Sequence, residues 1–111
     1  MRQVQAGKIL RIHVSESDRC GGKPLYEAIV AKCRELKIAG ATVIAGLEGF
    51  GATAEMQKAH LLHSNRPILI VVVDTAANVD RLVPVVGEMM DTGLMAVSDV
   101  ETIRVETGTQ G

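Results

Sequence analysis

A chain of 111 residues fits one domain, here 1–111 with its core at 8–105, large enough for a hydrophobic interior and well short of the size at which cores divide. Apolar residues make up 47% of it and aromatics only 2%, so Val, Ile, Leu, Ala and Met must fill the core, and aromatic stacking on nucleobases is excluded as a main recognition device. A formal net charge of −1 gives no footprint for nucleic acid, yet leaves room for local basic pairs that hold one phosphate.

Met1 to Lys8 lacks the apolar stretch of a targeting leader. Lys8 to Val14 then alternates Leu10, Ile12 and Val14 against Ile9, Arg11 and His13, the period-2 pattern of a first strand. Ser15 to Lys23 is a loop by composition, and Pro24 suits the first position of a helix. Leu25, Ile29, Cys33 and Leu36 recur on one face of that helix, which Gly40 closes.

A second strand covers Ala41 to Leu47 and breaks into Gly49-Phe50-Gly51, whose glycines permit backbone angles and close approaches that a Cβ would block. Residues 50–66 show neither helical nor strand period, which marks a long, functional and mobile connection. Ile68 to Val73 is apolar without alternation, so both of its faces need cover, and helices supply only one. The run is too short to span a bilayer, which predicts a soluble, cytoplasmic protein.

Asp74 or Thr75 caps a second helix with Val79, Leu82, Val83, Val86 and Met90 on one face. Asp91-Thr92-Gly93 ends it, and Pro84 predicts a kink or a shifted start. Val97 to Val105 reads as the last strand, followed by a frayed tail. The order β-α-β-loop-β-α-β predicts an α+β, ferredoxin-like βαββαβ sandwich: an antiparallel sheet, two helices on one face, and a long loop between strands 2 and 3.

Chemical motifs are sparse. Gly-Phe-Gly is neither a dinucleotide fingerprint nor a P-loop. Arg19, Gly21, Gly22 and Lys23 precede a helix N-terminus, where free N–H groups favour an anion, although Glu16 and Asp18 dilute that charge. His60 and His63, with Glu55 in range, are the material for a metal site, but they lie at no recognised ligand spacing. Cys20 has no paired base, Cys33 forms no Cys-x-x-Cys with it, and Tyr26 and the methionines 89, 90 and 95 read as packing residues. The reading is therefore of a non-enzyme with no catalytic residues, no metal centre and no obligatory cofactor. A metal-binding or catalytic ferredoxin-like protein using His60, His63 and Cys20 is the rival.

Glu16-Ser17-Asp18-Arg19, Gly21-Gly22-Lys23-Pro24-Leu25-Tyr26, Ala39-Gly40-Ala41-Thr42-Val43, Glu48-Gly49-Phe50-Gly51 and Val73-Asp74-Thr75 together carry a resemblance. From Lys8 to Val105 the chain resembles the PII-like signalling superfamily, and within it the bacterial branch known as domain of unknown function family 190. The resemblance implies a homotrimer with small-molecule effectors in clefts between subunits, ADP, ATP or AMP being the candidates. It also implies signalling through the loop at 50–66, with a membrane transporter or channel as the kind of partner; a nucleotide-independent adaptor for such a transporter is a further alternative. By similarity, Thr42 and Gly49, Phe50 and Gly51 border the nucleotide, Thr92-Gly93 begins the phosphate loop, and Arg104 matches a basic residue of the last strand. Arg19 and Lys23, peculiar to the branch, offer phosphate contacts of their own. Two features depart from the PII pattern: Leu94-Met95-Ala96-Val97-Ser98 replaces Gly-Asp-Gly-Lys, and Glu106 replaces a second arginine. Charge-assisted contacts of that kind contribute roughly 1.5–3 kcal/mol each, so the departures weigh against tight triphosphate binding.

Overall fold

The computed structural model describes residues 2–50, 56–58 and 65–106. Strand β1 runs over Arg2–Ser15, and a two-residue ladder pairs β2 (Arg19–Cys20) with β3 (Lys23–Pro24). Helix α1 (Leu25–Glu35) leads to β4 (Ala41–Ala45), and β5 (Glu48–Phe50) pairs with β6 (Met56–Lys58). Strand β7 (Pro67–Asp74), helix α2 (Ala76–Met89) and β8 (Leu94–Val105) complete the chain. The main sheet is antiparallel in the order β4-β7-β1-β8, the ferredoxin-like arrangement that the element order predicts.

Register explains the core. Leu10 pairs with Val72 and Ile12 with Ile70, and both pairs are fully buried beneath the helices; Val14 and Ile68 extend the row. Leu25, Ile29 and Cys33 of α1 and Val79, Leu82 and Val86 of α2 close on them. At about 1.5–3 kcal/mol per buried aliphatic side chain, this single layer is the main source of stability. Burial also pushes the Cys33 thiol pKa up, which favours an inert, neutral side chain.

The helix ends differ in part from expectation. Pro24 is the N-cap of α1 and sits just outside the helix. The helix is closed by Lys37, not by Gly40. Lys37 adopts φ 61°, its N–H reaches the Arg34 carbonyl at 3.0 Å, and the Ile38 N–H reaches the Cys33 carbonyl at 2.9 Å, the two bonds of a Schellman ending. Buried Ile38 against Cys33 fixes that turn three residues early and overrides the glycine. For α2, the Thr75 hydroxyl accepts the Asn78 N–H at 3.1 Å and sets the start in spite of Pro84, which lies inside the helix.

Strand ends shift as well. β4 stops at Ala45, where the Gly46 N–H donates to the Pro67 carbonyl at 2.8 Å, and β8 begins at Leu94 opposite His13. The first strand extends back to Arg2. Its segment Arg2 to Gly7 pairs only with Val100 to Val105, so the two strands leave the sheet as a ribbon beyond the Lys8–Asp74 rung. Of the connection at 50–66, Phe50 and Met56–Lys58 are laddered and Asn65 and Arg66 are described; its expected mobility concerns residues 51–55 and 59–64, outside the described set.

Candidate functional site

Where the ribbon departs, a cleft of ≈ 320 Å³ opens, a volume at the lower end of the range for small-molecule pockets. Gln3, Gln5, Thr102 and Arg104 line it from the ribbon, and Ala39, Asp74 and Thr75 from the body. Two contacts hold its shape. The Thr102 hydroxyl donates to the Gln5 carbonyl at 3.0 Å. Gly7 lets the ribbon pass β7, since a Cβ there would stand 2.7 Å from the Asp74 carbonyl oxygen.

Asp74 is the wall's fixed charge. Its carboxylate accepts the Ala39 N–H at 2.9 Å, the Thr75 N–H at 2.7 Å and the Asn78 amide at 3.1 Å. Burial alone would raise its pKa, but these donors, with the Arg81 charge beyond them, outweigh burial and hold the pKa below the ordinary value. The carboxylate therefore stays ionised and engaged, tying Ala39 to the N-terminus of α2. Arg81 continues the tie by donating to the Leu36 carbonyl at 2.7 Å. With no histidine or cysteine in the lining, the cleft is built for polar recognition through amides, hydroxyls and one guanidinium.

A second cluster occupies the opposite end of the sheet. Arg19 and Lys23 stand exposed on the β2–β3 ladder, whose turn has Gly21 at φ 58° and Gly22 at φ 83°, the two-residue hairpin geometry open to glycine. Glu16 forms a two-pronged ion pair with Arg66, both bonds at 2.8 Å. Arg66 holds the Glu16 carboxyl below its ordinary pKa, chiefly through the side-chain hydrogen bond. Buried Ser15 donates to Asn65 Oδ1 at 2.7 Å, Ser17 donates to the same oxygen at 2.9 Å, and the Ser15 N–H donates to Asp18 at 2.8 Å. The two carboxylates that dilute the basic loop in sequence, Glu16 and Asp18, are thus already partnered. Arg19 and Lys23 enter no ion pair among the described residues.

The sequence profile of the DUF190 family, described as "Uncharacterized ACR, COG1993", matches residues 7–102. The chain belongs to the DUF190 family. Two relatives agree: a UPF0166 protein of Aquifex aeolicus (strain VF5) is 33% identical over 105 residues, covering 93% of this chain and 98% of that one. The UPF0166 protein MJ1524 of Methanocaldococcus jannaschii is 31% identical over 102 residues, covering 90% and 94%. Among solved structures the fold matches CPII of Thiomonas intermedia K12, solved bound to ADP and bicarbonate, with a TM-score of 0.70, 19% identity and coverage of 90% of this chain and 91% of that one. It also matches a putative PII-like signaling protein, TTHA0516, of Thermus thermophilus, with a TM-score of 0.60, 14% identity and 92% of each chain covered. This DUF190 chain therefore has the PII-like fold.

Within this DUF190 subunit the sequence-predicted residues divide between the two ends. Arg104 lines the cleft, and Thr42 pairs with Val71 on β4 nearby. Arg19, Lys23 and Gly93 lie at the other end. Gly93 has φ 138°, and a Cβ there would meet Met90 Cε at 2.5 Å and the His13 carbonyl oxygen at 2.8 Å. Gly49 and Phe50 lie on β5, beyond Gly46 at that same end; Gly51, His60, His63 and Glu55 fall outside the described residues. Among the described residues no three His, Cys, Asp or Glu side chains converge as a metal site, and no helix is long and apolar enough to cross a membrane. Gln3, Gln5 and Thr102 were missed as site residues. The signal that finds them is the short alternation Gln3-Val4-Gln5-Ala6, which pairs antiparallel with Glu101-Thr102-Ile103-Arg104 across the ribbon.

Proposed function

We propose that this chain is a PII-like regulatory subunit, not an enzyme, that assembles as a homotrimer and senses an adenine nucleotide in a cleft between subunits. The observation that carries this reading is the split site. At roughly 3.3 Å per residue, Leu94 and Arg104 at the two ends of β8 stand about 33 Å apart. The phosphate-loop start at Gly93 and the basic strand residue Arg104 therefore meet one small ligand only when they come from different subunits. The likeness to CPII, solved with ADP, supports the ligand class. The missing Gly-Asp-Gly-Lys points to ADP or AMP above ATP.

Closure of the 50–66 connection over the ligand would change what that connection docks against, which requires that the ligand bind one loop state more tightly than another. Calorimetry with ADP, AMP and ATP tests the proposal. Gly51→Val, Lys23→Ala and Arg104→Ala each weaken binding by about 1–3 kcal/mol, and the two charge losses weigh more at low salt. A wild-type chain that binds none of the three nucleotides would remove the sensor reading and leave the fold untouched.

A further inference from the structure

The sheet face away from the helices carries one charge sign. By register, β7 presents Leu69, Val71 and Val73 there, β4 Ile44, and β8 Leu94 and Ala96. In their midst the inner strand β1 places Arg11 and His13. Among the described residues of the strands this face bears no carboxylate, and neither the Arg11 nor the His13 side chain enters a hydrogen bond or ion pair. The carboxylates of the main sheet, Asp74, Asp99 and Glu101, sit on the helix side, where Asp74 and Asp99 pair in register with Lys8.

In the assembly proposed above, on which this inference rests, a face so rich in aliphatic side chains is the one that a second copy covers. Packing sheet against sheet then brings Arg11 of each copy into a low-dielectric layer to which the described residues of this face contribute no carboxylate. An unpaired guanidinium in such a layer is strongly destabilising. A bound anion supplies the counter-charge that the described residues of this face lack. A guanidinium fork and an imidazole N–H suit the oxygens of a small oxyanion. We propose that Arg11 and His13 form an oxyanion site within the subunit interface, for a phosphate- or sulfate-type ion, separate from the nucleotide cleft and required for full assembly.

Sedimentation velocity of the full chain at fixed ionic strength, in chloride and with millimolar inorganic phosphate, tests this. Phosphate lowers the concentration at which the wild type dissociates by about tenfold or more, because charge-assisted hydrogen bonds are gained at each copy. Arg11→Met assembles equally in both buffers and still binds nucleotide. Arg11→Lys, which keeps the charge and loses the fork, responds to phosphate less than the wild type and serves if the methionine variant folds poorly. A wild type that assembles identically in both buffers overturns the oxyanion site and leaves the trimer standing, as does an Arg11→Met variant that still responds. A wild type that is monomeric in both overturns the site and the assembly together.

Discussion

The two faces of β7 are made of nearly the same residue types and have opposite fates. On β7, Ile68, Ile70 and Val72 are sealed under the helices, while Leu69 and Val71 are half-buried and Val73 is 41% exposed. The apolar run Ile68 to Val73 is thus balanced in sequence and unbalanced in a single chain. In the assembly proposed above, its second face is the interface.

Substitution on the two faces is the strongest way to break this comparison. Ile70→Ala, beneath the helices, lowers stability to urea by about 2–5 kcal/mol, whereas Leu69→Ala costs less than about 1 kcal/mol in the dilute chain and weakens self-association instead. Equal losses in urea would show that the faces do not differ. The seam where β8 begins is next. Gly93→Ala forces a Cβ against Met90 and the His13 carbonyl at a backbone angle that L-residues avoid, and lowers thermal stability by about 1–3 kcal/mol at the unfolding midpoint.

The smallest expected effect sharpens the contrast at the end of the sheet. Because Arg66 depresses the Glu16 pKa in the folded state, the unfolded chain binds the proton more readily. The stability from this pair is complete above the unfolded pKa, the model-compound 4.5, and is lost as pH falls through the lower folded pKa. Glu16→Gln should flatten the acid limb of a stability-against-pH series and leave neutral-pH unfolding nearly unchanged. An acid limb of the same slope would mean that the pair contributes nothing.

Where a signal was periodic, the sequence told the fold plainly. Leu10-x-Ile12-x-Val14 and Leu25, Ile29, Cys33 name their own elements because burial on one face imposes the period. Lys37 was hidden behind Gly40 because the helix end was decided by Ile38 finding Cys33, a packing event that no capping preference anticipates. The candidate site was half legible. Arg104 and the basic loop carried resemblance and charge, but the latch of Glu16 with Arg66 and Ser15 with Asn65 joins residues about fifty positions apart, which only the finished topology brings together. Gln3 and Gln5 went unread because two glutamines on a short ribbon carry no chemistry until Arg104 and Thr75 stand across from them.

The ribbon has one more consequence. Two strands without a third neighbour hold together weakly in water, and Val4, Ile103 and Val105 lie mostly open upon it. In an isolated subunit the amides of Gln3 to Gly7 should exchange with solvent deuterium through local opening, while those of Leu10 to Val14 wait for global unfolding. The same strand therefore carries a fast clock at one end and a slow one at the other. Contact that quiets the first without touching the second is registered along a single stretch of backbone.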